Sequence, residues 1–237
     1  MAEKHSETRI RRSVDRGHAN HGWLKSHHTF SFAGFHDPLY MGYRSLRVIN
    51  EDRVRGGMGF GAHSHRDFEI ISYILAGELR HRDSMGHSAV MKPGDIQRIT
   101  AGRGISHSEM NNSQDQEVHF LQIWLEAAIP GLEPNYAQQS FAGAATGRLT
   151  LACSPDGRNE SLIINQQADI YIGKLSPDTN LKHTSRDSHH LWIQLISGDL
   201  RLGESDLHPG DGAAIDGEAT ITLDSATGAH FLLFDMD

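Results

Sequence analysis

The chain has 237 residues, 38% of them hydrophobic and 22% charged, with a formal net charge of -8 at pH 7. That composition supports a folded core in one large domain or two of about 110–120 residues, and carries no disorder signature. The negative balance excludes a protein that coats nucleic acid, which needs a clustered positive field. The basic run from Arg9 to Arg16 is small and reads as a solvated edge. The single cysteine, Cys153, excludes an intramolecular disulfide and a thiolate-rich zinc or iron–sulfur site, and reads as a buried small hydrophobe. No apolar run approaches the roughly 20 residues that span a bilayer, and Met1–His5 lacks the apolar core of a signal peptide. A cytoplasmic protein without membrane attachment is the expectation.

In chain order, short runs of β-branched and aromatic residues recur between Gly, Pro, Asn and Asp clusters. They are Ser45–Ile49, Glu69–Leu75, His119–Leu125, Leu149–Cys153, Asp169–Leu175, Leu191–Ile196, Ala219–Leu223 and His230–Phe234. Regular short strands at this spacing predict an all-β sandwich or barrel. No long stretch carries a 3.6-residue period, so helices are expected to be few and short, with one or two turns near Tyr136–Phe141.

The two halves repeat one another. Ile74-Leu75-Ala76-Gly77-Glu78-Leu79-Arg80 returns as Leu195-Ile196-Ser197-Gly198-Asp199-Leu200-Arg201. Pro93-Gly94-Asp95 returns as Pro209-Gly210-Asp211, and His119-Phe120-Leu121 as His230-Phe231-Leu232. Three matches in the same order indicate a duplicated unit. The Pro-Gly pairs suit the two central positions of a type II turn, where Pro fixes φ and Gly accepts φ > 0. The Ala-, Gly- and Pro-rich segment from Ala127 to Gly147 marks the join. A boundary near Pro134 gives an N-terminal barrel over 1–133 and a C-terminal barrel over 134–237.

Histidine, at 17 residues, is the compositional outlier. Two motifs concentrate it: His63-Ser64-His65 and His107-Ser108-Glu109, each after a glycine-rich segment. Side chains two apart on a strand share a face, so each motif delivers two ligand-type side chains to one side of a sheet. If both strands face one interior, three imidazoles and a carboxylate converge as a nitrogen and oxygen donor set with positions left open. Aligning the halves on Gly77 and Gly198 puts Thr184 and Arg186 where His63 and His65 stand. Gly212–Leu223 contains no histidine, and His183, His189 and His190 are out of register. The second copy is therefore expected to lack the metal site. His18, His21, His27, His28 and His36 read as surface groups or hydrogen-bonding supports, and His81 and His87 as hairpin residues around Asp83–Gly86. Phe30, Phe32, Phe35, Phe60 and Met41 either fill the barrel core or line an aromatic ligand's entrance.

The arrangement of Gly57, His63-Ser64-His65, Glu69, the Pro-Gly-Asp turn and a later histidine resembles the cupin motif pair. Ala101-Gly102-Arg103-Gly104-Ile105-Ser106-His107-Ser108-Glu109 narrows this, because it resembles the signature of the pirin family. Gly22-Trp23-Leu24, His28-Thr29-Phe30-Ser31-Phe32, Asp37-Pro38, Leu46-Arg47-Val48-Ile49-Asn50 and Ser154-Pro155-Asp156-Gly157 are similar to the same family, in particular to bacterial pirins described as quercetin 2,3-dioxygenases. The resemblance implies a bicupin, two antiparallel β-barrels of jelly-roll type, with one divalent metal in the first.

Carried over residue by residue, the family pattern makes His63, His65, His107 and Glu109 the ligands, and leaves Glu69 a supporting or structural role. It implies Fe(II) foremost, with Zn, Cu, Mn, Co or Ni tolerated by the same donors. The activity implied is O₂-dependent opening of the heterocycle of a flavonol such as quercetin, with release of carbon monoxide. The ion would acidify the 3-hydroxyl and Glu109 would accept its proton. The expected partners are a flavonol-like small molecule and O₂. The family also implies an alternative, in which the same metal centre is a redox-sensitive element of a regulatory protein that contacts another protein.

Overall fold

The computed structural model describes residues 8–217 and 220–237. No helix among them is long and apolar enough to cross a membrane. The described residues form strands, with 3₁₀ turns at Ser13–Asp15 and Arg158–Glu160. Each of the eight expected regions holds a strand. The first begins at Leu46 after a turn at Ser45 and runs on to Val54, and the others differ from expectation by no more than a residue or two at either end. The seventh runs over Thr220–Ser225, and Ala219 lies outside the described residues, as does Met1–His5. The helix expected near Tyr136–Phe141 is not there. Asn135–Ser140 is instead an edge strand, paired antiparallel with Asp95–Thr100 from Asn135↔Thr100 to Ser140↔Asp95. Sheet pairing decides the conformation of this segment, whose local pattern is weak.

The chain divides into two compact units. One comprises 17–143 and Leu162–Gln166, the other 8–16, Ala144–Ser161 and Gln167–Asp237. The units thus interleave along the chain and do not meet at one point near Pro134.

In the first unit the larger sheet runs Asn135–Ser140, Asp95–Thr100, Phe68–Ala76, Val118–Glu126, Leu46–Val54, Leu24–His28, Gly17–Asn20. The smaller runs Gly59–His65, Ile105–Asn111, Leu79–Asp83, Ser88–Met91, and every neighbouring pair is antiparallel. The two sheets face each other across shared apolar clusters. Leu79 and Met91 of the smaller sheet pack with Leu24, Val54, Ile74, Val118 and Phe120. Ile105 packs with Ile70 and Ile99.

The second unit repeats the plan. Its larger sheet includes, in order, Thr8–Arg11, Gly212–Ile215, His190–Gly198, Ala229–Met236, Ala168–Leu175 and Arg148–Ser154. Its smaller sheet runs Thr179–Thr184, Thr220–Ser225, Leu200–Leu202, Ser205–Leu207. Matching strands fall in matching places, which the duplication requires. Both Pro-Gly turns close as expected: Asp95 N–H bonds the Lys92 carbonyl and Asp211 N–H the His208 carbonyl, each at 2.9 Å. Gly94 and Gly210 sit at φ 90 and 86, which only glycine adopts without strain. The basic run from Arg9 is part of this unit's edge, with Arg9 on Asp216 and Arg12 on Asp211.

Candidate metal centre

The two histidine motifs lie on neighbouring strands of the smaller sheet. Ile105–Asn111 alternates strictly between buried and half-buried residues, so Ile105, His107, Glu109 and Asn111 face the interior. His107 is the direct partner of His63 in the pairing. Two residues further on, Glu109 pairs with Phe60, so Gly61 and Ala62 together oppose Ser108. This is a β-bulge, a device that re-aims side chains beside a site. The His63–His107, His63–His65 and His65–His107 ring centroids are 4.5, 4.8 and 4.9 Å apart. Their ligand nitrogens all lie within 4.8 Å of one another.

The protonation of His65 and His107 suits a cation. Burial, then the neighbouring His107 and His63, push His65 down to about 4. Burial likewise lowers His107. Neutral imidazoles keep a lone pair for a metal. The Gly61 carbonyl accepts a hydrogen bond from His63 Nδ1 at 2.8 Å, which leaves Nε2 as that ring's ligand atom. Both ring nitrogens of His107, and Nε2 of His65, are buried without a hydrogen-bond partner. Buried polar atoms are rarely left so, and a divalent ion supplies the missing partner. The residues present therefore fit a metal.

Glu109 is fully buried and lies beside His107. Ser72 Oγ and Gln97 Nε2 donate to its Oε1 at 3.0 and 3.3 Å, and Gln122 Nε2 donates to Oε2 at 2.8 Å. Burial opposes its ionisation, but His107 and the Gln122 and Ser72 hydrogen bonds outweigh burial and hold the carboxyl below its usual range.

The donors belong to one row of the larger sheet. Gln97 pairs with Ser72, Ser72 with Gln122, Gln122 with Asn50, and Asn50 with His28. One pair along on either side, the central strands are apolar on the same face, with Ile74 and Phe120 on one flank and Ile70 and Trp124 on the other. A polar belt five strands wide thus crosses the larger sheet, opposite the histidines.

One placement differs from the sequence expectation, and that of Glu69 agrees with it. His87 is on the hairpin, but His81 faces inward, fully buried, with its ring 5.4 Å from His107 and its Nε2 3.0 Å from Asp83 Oδ2. His81, His107 and Glu109 form a second ligand-type triple. The signal was present, since Leu79-Arg80-His81 puts His81 on the face of the core residue Leu79. Glu69 turns away from the site. The chain breaks from strand after His65, with Asp67 at φ 55, so Glu69 does not continue the face that carries His63 and His65. Its carboxylate accepts from Thr100 Oγ1 at 3.0 Å and Asn165 Nδ2 at 3.1 Å, a structural role.

A cavity of about 590 Å³ opens onto His63 and His65. Phe32, Phe35, Phe60, Leu24 and Trp124 supply its apolar wall. Phe30 is core and Met41 is exposed, so the aromatic expectation splits. His18, His21 and His28 also line this cavity. In the second unit, a cavity of about 560 Å³ is lined by Asp178, Asp199, Arg201, Asp206 and Asp224, and Arg201 is already paired with Asp206. Among the described residues, both ligand-type clusters lie in the first unit. The second unit's His183 and His189 instead bond Asp235, at 3.0 and 2.9 Å.

Two cupin barrels of which one carries a histidine-rich centre define a bicupin. The pirin family model matches residues 7–125, and that of the quercetinase C-terminal cupin domain matches 151–236. The chain belongs to the pirin family. It is 40% identical over 227 residues to the quercetin 2,3-dioxygenase of Escherichia coli K12, covering 96% of this chain and 97% of that protein. The crystal structure of E. coli YhhW superposes with a TM-score of 0.94 at 39% identity over 98% of both chains. The nickel(II) complex of YhhW gives 0.93, covering 97% of this chain and 99% of that one. A quercetin 2,3-dioxygenase of Acinetobacter baumannii shares the fold, with a TM-score of 0.81 at 18% identity over 96% of this chain and 85% of that one.

Proposed function

We propose that this protein is a metal-dependent dioxygenase that opens the heterocycle of a flavonol such as quercetin with O₂ and releases carbon monoxide. The observation that carries the reading is the cluster of His63, His65 and His107, in which His65 and His107 hold buried nitrogens without a hydrogen-bond partner, beside an aromatic cavity lined by His63 and His65. Near-full-length similarity to the E. coli quercetin 2,3-dioxygenase supports it.

His63, His65 and His107 would hold the ion, with Glu109 as fourth ligand. Fe(II) is the ion the family pattern implies, and the same donors accept nickel, which the YhhW complex contains. A bound divalent ion supplies Lewis acidity toward a ligating hydroxyl. Everything else falls to the chain. Ser72, Gln97 and Gln122 keep Glu109 ionised and fix its direction. A carboxylate held so firmly is a weak base, so it receives a proton only from a hydroxyl that is already acidified. Trp124, Phe32 and Phe35 offer ring faces and edges to a flat aromatic ligand, and exclude water from it.

The test is to incubate metal-loaded protein with quercetin under O₂, following loss of the flavonol absorption band and release of carbon monoxide. Matched loss and release support the reading. No turnover with Fe, Mn, Co, Ni or Cu would overturn it in favour of a regulatory metal centre.

A further inference from the structure

One buried group in this cavity takes no part in holding the metal. Asp52 stands on Leu46–Val54, one inward-facing position along from Asn50, and is only 4% exposed although it lines the cavity. Ser26, its direct neighbour on the adjoining strand, donates a hydrogen bond to it. Its Oδ1 is buried and has no partner. Beside it, His28 Nδ1 donates to Asn50 Oδ1 at 2.8 Å, and Ser26 Oγ lies 3.3 Å from the same nitrogen. Ser26, His28, Asn50 and Asp52 all line the cavity, together with the apolar Leu24, Phe32, Phe35, Phe60 and Trp124.

A buried carboxyl oxygen without a partner is costly unless a ligand or water completes it. Among the described residues no charged side chain bonds Asp52, and burial lifts its carboxyl to about 7, so it is not built as an ion-pair partner. A hydroxyl, which donates and accepts at one atom, meets both protonation states of such a carboxyl.

We propose that Asp52, set by Ser26 and flanked by Asn50 and His28, is a hydroxyl-recognition subsite of this cavity. It selects aromatic ligands that carry a hydroxyl besides the one directed at the metal. The inference rests on the flavonol reading of the site and specifies its ligand: a polyhydroxylated flavonol is preferred over one bearing the 3-hydroxyl alone. A site built to bond a hydroxyl discriminates against the analogue lacking it, because its own buried group is then left unpaired.

The experiment compares quercetin with 3-hydroxyflavone, which keeps the 3-hydroxyl and lacks the others. Binding to nickel-loaded protein is followed by absorbance under nitrogen, so no turnover is involved. The wild-type protein should prefer quercetin by about tenfold or more. In Asp52→Ala that ratio should collapse toward one. Asp52→Leu, which refills the volume, provides the same test if the alanine variant folds poorly, and metal stoichiometry reports folding in both. A merely structural role would weaken both ligands together and leave the ratio intact. Equal wild-type affinities, or a preference that survives in a folded Asp52 variant, would overturn the subsite and leave the flavonol reading standing. If neither flavonol binds the wild-type protein, the flavonol reading falls and the subsite falls with it.

Discussion

Replacing Asp52 by asparagine should change how stability depends on pH. Burial raises the Asp52 carboxyl from the ordinary 3.8 to about 7, against a smaller opposing hydrogen bond from Ser26. The unfolded chain releases this proton near 3.8, whereas the native protein keeps it to about 7. Between those values the native state binds more protons, so stability falls as pH rises. At about 1.4 kcal/mol for each pH unit, the full loss is about 4 kcal/mol, of which about 2.5 kcal/mol falls between roughly pH 5 and pH 8. That is a large share of a typical folding free energy of about 5–15 kcal/mol. An asparagine side chain has the same shape and does not titrate. Urea unfolding of chelator-treated protein should therefore show Asp52→Asn gaining about 2–3 kcal/mol on the wild type between those pH values. The other titrating groups are common to both proteins and largely cancel in the difference. Parallel pH profiles for the two proteins would refute the assignment of Asp52 as a buried, neutral carboxyl.

Other expectations concern the metal and the frame that holds it. His65→Ala and His107→Ala should each lose the metal on dialysis, read by elemental analysis of the folded protein. Glu109→Gln should bind metal more weakly and show no flavonol turnover, whereas Glu69→Gln should retain both; full turnover in the first variant would remove Glu109 from the chemistry. Gln122→Leu takes away the 2.8 Å donor to Glu109, and metal affinity should drop about 10–100-fold in a direct titration. Gly59→Ala would put a Cβ 2.3 Å from the Glu109 carbonyl and 2.6 Å from Met110 Cα. Two paired strands must then part, which should cost about 1–3 kcal/mol in thermal or urea unfolding and reduce metal content with it.

Much of this molecule is legible in its sequence because the signals are local or repeated. The Pro93-Gly94 and Pro209-Gly210 turns fix φ at their central residues, and their repetition revealed two copies of one unit. His63-Ser64-His65 needs only the two-residue period of a strand to place both rings on one face. The parts that escaped depend on pairing between distant strands. His81 meets His107 only because Leu79–Asp83 lies beside Ile105–Asn111. The belt from Gln97 to His28 takes one residue from each of five strands, so no segment of sequence displays it. Asn135–Ser140 has little pattern of its own, and becomes a strand because Asp95–Thr100 presents an edge to it.

The central claim, that one metal ion sits on His63, His65, His107 and Glu109, is tested most directly by an anomalous-scattering map of crystals of the metal-loaded protein. The account predicts a single strong peak in the first barrel, coordinated by those four side chains. A peak held by His81, His107 and Glu109 without His63 and His65, or one in the C-terminal barrel, would contradict it.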